Sequence, residues 1–308
     1  MASASGKKLK DPHVCRVFIS SPFNGMEGER ETLTRLYWPK LQVFCAQRGI
    51  QLRLVDMRWG IKADSDAQTI NICLKELERS DLFIGFFGQR YGWAGINDAE
   101  LQRNFDMATE RFPWIDDYRN RSVTEIEFLG GHLNKPGDMP AAICFRDKSF
   151  DDEKLEEGRR LDNKKMLRSF AVENPESAKR MEDLKERVKA SEDKALGVLM
   201  DYKTPEEGAQ FLFECLWKYV TEVMFTSEVE TPLGPLEVER GQHDAFRNSR
   251  SAHYVGGESE LQTVQSFITD KKENILFVTG EAGSGKSSLM CQWLNTWQKM
   301  RPDDGVVY

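Results

Sequence analysis

Late in the sequence, eight residues have the types and spacing for one chemistry: Gly280-Glu281-Ala282-Gly283-Ser284-Gly285-Lys286-Ser287. They complete a G-x-x-x-x-G-K-[ST] pattern, in which glycines let backbone N–H groups wrap phosphates. Lys286 is placed to reach the β- and γ-phosphates of a nucleotide, and Ser287 to hold Mg²⁺. Gly280, Gly283, Ser284, Gly285 and Ser288 complete the expected cradle, at a helix N-terminus whose partial positive charge suits an anion. The expected ligand is ATP with Mg²⁺. A chance glycine-rich turn is the competing reading. The context disfavours it: Ile275-Leu276-Phe277-Val278 reads as a strand leading in, and residues 286–298 as an apolar-faced helix leading out. Hydrolysis also needs an acidic residue for the metal and a group that positions water. Only 21 residues follow Ser287, so the sequence reads as the N-terminal part of a longer protein whose Walker B segment lies further on.

A second set of polar residues gathers where strands are expected to end. Ser20-Ser21-Pro22-Phe23, Asp56-Met57-Arg58-Trp59-Gly60 and Gly88-Gln89-Arg90-Tyr91-Gly92-Trp93 each follow an apolar run, and Ser122-Val123-Thr124-Glu125-Ile126-Glu127-Phe128 opens a helix. Open parallel sheets bind ligands outside the carboxyl ends of their strands. Ser20, Ser21, Phe23, Arg58, Trp59, Arg90, Tyr91 and Trp93 are therefore candidate substrate-binding residues. The bland alternative is that Trp59, Tyr91 and Trp93 only cap the core. Ser122 and Glu125 fit a capping box, which gives Glu125 a structural task. Glu127 lies two positions on, about 200° round the helix, so the two carboxylates do not form an adjacent pair.

The elements that must position these groups alternate. Strands are expected at 14–20, 51–57, 82–87, 141–145 and 196–200. The wholly apolar Leu82–Phe87 suits a central strand covered on both faces. Helical spacing joins Leu33, Leu36 and Tyr37, with Pro39 expected to kink or split that helix. It also joins Ile70, Cys73, Leu74 and Leu77, and a last helix, capped at Thr204-Pro205-Glu206-Glu207, carries Leu212, Cys215, Leu216, Tyr219, Val220 and Val223. This pattern predicts an α/β fold with a five-stranded parallel, flavodoxin-like sheet and helices on both faces. Two insertions interrupt it, 94–120 and the charged 148–194; the latter's Met181, Leu184 and Val188 suggest a surface helix. The expected domains are a disordered 1–12, an α/β domain over 13–226, a linker rich in Pro, Gly and Glu over 227–252, and the opening of a P-loop domain over 253–308.

Bulk properties narrow the class. The net charge of -7 on 308 residues argues against a nucleic-acid binder driven by a basic field. Six scattered cysteines without C-x-x-C spacing, and four histidines without ligand spacing, read as buried thiols and no metal site. With no signal peptide and no membrane-length apolar run, a cytoplasmic protein is expected.

Several of these motifs carry a resemblance. Val17-Phe18-Ile19-Ser20-Ser21-Pro22-Phe23, Glu29-Arg30, Asp56-x-Arg58-Trp59-Gly60, Arg90-Tyr91-Gly92 and Ser122-Val123-Thr124-Glu125-x-Glu127 together resemble an uncharacterised domain found before NACHT modules. It occurs in nephrocystin-type, NACHT–WD-repeat and telomerase-associated vault proteins. Tyr254-Val255-Gly256-Gly257-Glu258 and the P-loop resemble the opening of a NACHT-type STAND NTPase, with Gly257 where that family usually has arginine. More distantly, the N-terminal domain is similar to TIR domains and nucleoside deoxyribosyltransferases. That likeness implies a catalytic role for Glu127 in cleaving the nicotinamide–ribose bond, with NAD as substrate. Trp59, Tyr91 or Trp93 would stack on the base, and Arg58 or Arg90 would pair with the pyrophosphate. The same likeness implies self-association and contact with other signalling proteins. An NAD-cleaving effector, a non-catalytic assembly module and a nucleotide sensor without turnover remain three distinct expectations. For Glu127 itself, the competing reading is a solvated or salt-bridged helix residue.

Overall fold

A computed structural model describes residues 9–57, 68–225, 243, 246–247, 250–251, 254, 256–270, 274–281 and 284–301. The chain divides into two compact units, one of Met1–Cys45 with Leu52–Thr231, the other of Ala46–Gln51 with Pro232–Tyr308.

The first unit holds five strands: β1 (Val14–Ser20), β2 (Gln51–Asp56), β3 (Leu82–Phe87), β4 (Ala141–Arg146) and β5 (Gly197–Tyr202). Their order is β2-β1-β3-β4-β5, and β1·β3, β3·β4 and β4·β5 pair in parallel. The order reverses direction at β1, so a crevice opens between the carboxyl ends of β1 and β3. β3 and β4 are buried at every position, as their unbroken apolar runs demand, whereas the edge strands β2 and β5 are mostly half-buried. Register places Ser20 opposite Gly85, and Gly85 opposite Ile143.

The helices covering the sheet are α1 (Glu27–Thr32), α2 (Trp38–Ala46), α3 (Thr69–Glu78), α4 (Ala99–Thr109), α5 (Val123–Phe128), α6 (Lys148–Arg160), α7 (Lys164–Phe170), α8 (Pro175–Ala190) and α9 (Pro205–Tyr219). The helix expected around Pro39 is interrupted: a π-helical turn, Leu33–Tyr37, joins α1 to α2 just before it, while the segment stays helical throughout. The wide turn also moves the helical phase: Leu33 is buried while Leu36 is 58% exposed, against the face expected from spacing alone. A second π turn, Val220–Met224, ends α9 and leaves Val223 exposed in the same way.

The charged insertion contributes to the interior. Met181, Leu184 and Val188 on α8 are buried in the main core with Phe83, Phe87 and Phe128, so α8 is a core helix with a solvated back. The stripe was readable in the sequence; the charge around it suggested a surface position. All six cysteines are free thiols. Among the described residues, no helix is long and apolar enough to cross a membrane.

In the second unit, α10 (Glu258–Asp270) and α11 (Lys286–Met300) pack through Val264, Trp293, Leu294 and Trp297. The strand expected at Ile275–Thr279 is not formed: the segment has no regular structure, and Phe277 is 82% exposed. A parallel strand needs a ladder partner for its N–H and C=O groups, and none of the described residues supplies one.

Candidate functional site

Five side chains meet where β1 and β2 end. β1 delivers Ser20 and Ser21, α1 delivers Arg30, β2 delivers Asp56, and α5 delivers Glu127. Ser20 Oγ donates to Glu127 Oε2 at 2.5 Å. Arg30 donates to Ser21 Oγ through Nε at 3.0 Å and Nη2 at 2.6 Å, and to Asp56 through Nη1 at 2.7 Å. Its guanidinium lies 5.3 Å from the centre of the Phe86 ring. All but Asp56 are buried, and the Asp56 side chain keeps only 8% of its surface.

Glu127 reaches this place because Ser122 caps α5, accepting the Glu125 N–H at 3.1 Å. The start of the helix is fixed, so its second turn faces β1. Burial pushes the Glu127 carboxyl up to about 7; hydrogen bonds from Ser20 and Cys73 and the charge of Arg30 pull the other way, and Asp56 adds to the rise. The result is a carboxylate that changes charge near neutrality.

Glu125 faces away, as the helical angle requires. Only half of the expected capping box exists. The Glu125 carboxylate is taken by Tyr91 Oη and by Arg187 of α8, while the Ser122 N–H donates to Tyr91 Oη at 3.3 Å. Burial, together with the Glu125 charge, pushes the Tyr91 phenol well above its ordinary range. Tyr91 is fully buried and is a core tyrosine rather than a stacking platform.

The other expected residues are dispersed. Arg90 pairs with Glu173, Trp93 donates its ring N–H to Asp98 at 2.7 Å, and Phe23 is 54% exposed. Arg58 and Trp59 lie outside the described residues, as does Gly283.

Sequence spacing gave no hint of a second buried group at the β4 end. Arg146 donates to Glu29 Oε1 at 2.6 Å, to the Gly25 carbonyl at 2.8 Å and to Asp151, and Tyr202 Oη donates to the same Glu29 oxygen at 2.9 Å. Phe150 and Phe170 lie 4.5 and 5.6 Å from the guanidinium. An irregularity in the β4–β5 register, with Asp201 at φ 58°, brings Tyr202 opposite Arg146. Burial raises the Glu29 and Asp151 carboxyls against the pull of Arg146. One signal was readable: an arginine ending an otherwise apolar strand at its carboxyl end.

In the second unit, a cavity of about 670 Å³ lies at the N-terminus of α11, lined by Ser284, Gly285, Lys286 and Ser288 with Arg250, Tyr254, Gly257 and Glu260. Gly285 has φ +88° and open space where a side chain would be. Lys286 Nζ donates to the carbonyls of Gly280 at 2.8 Å and Glu281 at 2.7 Å. The volume is in the range of small-ligand sites.

The fold is thus an α/β sheet with a buried polar cluster at its carboxyl edge. The chain belongs to the family described as Domain of unknown function (DUF4062), whose profile matches residues 16–202. A TPR repeat-containing protein of Dictyostelium discoideum is 29% identical over 95% of this chain, which spans 19% of that protein. Telomerase protein component 1 of Rattus norvegicus is 38% identical over 44% of the chain, and NACHT domain- and WD repeat-containing protein 1 of Mus musculus 37% over 22%; the match spans 5% of each. The chain therefore spans about a fifth or less of these three relatives. The partial similarities point to a NACHT-associated N-terminal region. No solved structure matches the chain at a significant level.

Proposed function

We propose that this chain is the N-terminal region of a STAND-type, NACHT-like signalling ATPase, in which Mg·ATP at Gly280–Ser288 controls a TIR-like domain that cleaves the N-glycosidic bond of NAD or a related nucleotide. The observation that carries the catalytic reading is the Glu127 carboxylate, held beside Ser20 at the strand-end crevice and titrating near neutrality. In the proposed step, the ribose C1′–N bond breaks and its electron pair leaves with nicotinamide. Glu127 offsets the positive charge left on the ribose. Water then adds to C1′ and loses a proton, giving ADP-ribose.

The cavity at α11 supports a nucleotide there: Lys286, which lines it, would meet the β- and γ-phosphates, Ser287 would hold Mg²⁺, and the Ser284–Ser288 backbone would cradle the phosphates. The bound metal would screen phosphate charge. Relatives named for TPR and WD repeats support a part in protein assembly.

One observation favours a second, non-catalytic reading: Glu127 is only 7% exposed, with Ser20 covering one oxygen. The domain would then act by self-association or contact with signalling partners. Nicotinamide release by the 308-residue chain, at high concentration with a crowding agent, separates the two. Release that vanishes in Glu127→Gln supports the enzyme; no release from the wild type removes it. Calorimetric titration with Mg·ATP, beside Lys286→Ala, tests the P-loop separately.

A further inference from the structure

The chain carries its own anion at the end of β3. Glu173, in the loop between α7 and α8, accepts from Arg90 Nε and from Gly92 N–H with one carboxylate oxygen, and from Tyr91 N–H with the other, each at 3.1 Å. Consecutive backbone N–H groups that converge on one anion form a nest. Gly92 itself lies at φ +99°, in the left-handed region that favours glycine.

Three features mark this cradle as a ligand site and not only a loop anchor. It follows the central strand β3 directly, on the edge of the sheet where this architecture binds ligands. The Arg90 and Glu173 side chains each keep 22% of their surface, so the pair is reachable from solvent. Among the described residues, the two Nη groups of Arg90 take no partner, so a guanidinium built for two-pronged anion binding is half used.

We propose that Arg90, Tyr91 N–H and Gly92 N–H form a diphosphate subsite of the strand-end crevice, and that Glu173 is a built-in stand-in which a nucleotide diphosphate must displace. This deepens the reading of the crevice as a nucleotide site and rests on it. A tethered competitor lowers apparent affinity by the fraction of time it leaves the cradle open. Removing its charge returns that loss, while removing Arg90 takes away the site itself.

The test is calorimetric titration of inorganic pyrophosphate into the 308-residue chain. A Lys286→Ala background keeps the P-loop from contributing. Glu173→Gln, which keeps shape and loses charge, is expected to tighten pyrophosphate binding by about tenfold or more. Glu173→Ala is expected to do the same, and adding Arg90→Ala to either is expected to abolish the gain. ADP-ribose is expected to compete for the same cradle. Unchanged affinity in both Glu173 variants, or a gain that survives Arg90→Ala, overturns the proposal, as does failure of ADP-ribose to compete. Thermal melts of each variant confirm the fold. Turnover is not read, so this subsite and the glycohydrolase reading fail independently.

Discussion

The Ser20 hydroxyl donates to Glu127 Oε2 at 2.5 Å, tying the end of β1 to a carboxyl that burial has raised to about 7. An acid whose pKa rises on folding binds protons more tightly in the native state. Its contribution to stability is full below the unfolded value near 4.5 and is lost as pH climbs through about 7. The shift corresponds to about 3 kcal/mol. Glu127→Gln is therefore expected to flatten the stability curve between those pH values and to make the protein more stable than wild type at pH 8. Ser20→Ala, which removes a bond to the charged form, should move the titration higher still. Urea unfolding across pH, with the carboxyl followed by infrared absorption, checks both; a Gln variant with an unchanged pH profile would count against the buried carboxylate.

Arg146 makes the opposite kind of contribution. Its guanidinium compensates two buried carboxylates, Glu29 and Asp151, and holds the Gly25 carbonyl. Removing one partner of a buried ion pair leaves an uncompensated charge and costs roughly 3–5 kcal/mol. Arg146→Ala is expected to lose that much in chemical denaturation. Arg146→Lys should recover little, because one ammonium cannot reach Glu29, Asp151 and Gly25 as the planar fork does. Full recovery with lysine would show that charge alone matters there.

Gly85 sets how closely α5 approaches the sheet. A Cβ at this position would lie 2.3 Å from the ring of Phe128, the residue after Glu127. That ring packs against Phe83 at 5.1 Å and Phe87 at 5.0 Å between centroids, so it has little room to retreat. Gly85→Ala is expected to cost about 1–3 kcal/mol as an overpacked core and to lengthen the Ser20–Glu127 contact. Thermal unfolding reads the first effect and the Glu127 titration the second.

Much of this architecture was legible because burial writes itself as composition. The unbroken apolar runs of β3 and β4 can only be central strands, and the Ser122 cap fixes where Glu127 points. What stayed hidden depends on contacts between distant positions. Arg146, Glu29 and Tyr202 belong to one cluster, yet Glu29 and Tyr202 are 173 positions apart. The π turn at Leu33–Tyr37 displaced Leu36 from the face its spacing suggested, because a wider turn changes the angle each residue subtends. In α8 the stripe of Met181, Leu184 and Val188 was legible, but the lysines and glutamates around it suggested a surface helix and hid how deeply it packs. Of the candidate residues, the structure brings Ser20 and Glu127 together, whereas Tyr91 meets Glu125 because its hydroxyl sits inside the core.

The cavity beside α11 allows a last prediction, about the glycine that stands where arginine was expected. Gly257 has φ +74°, and a Cβ there would fall 2.1 Å from Tyr254 Oη. Tyr254 thus occupies space that a side chain at position 257 would need, and both residues line the cavity with Glu260. Gly257→Ala is expected to drive the tyrosine out of its place and weaken Mg·ATP binding by about tenfold, which is about 1.4 kcal/mol. Adding Tyr254→Ala removes the collision but not the left-handed backbone strain, worth about 1–2 kcal/mol. If the collision dominates, the double variant binds more tightly than Gly257→Ala alone; if strain dominates, the two bind alike. Calorimetric titration of the four chains that complete this cycle gives the coupling directly. Equal affinity in all four would remove Tyr254 and Gly257 from the proposed nucleotide site.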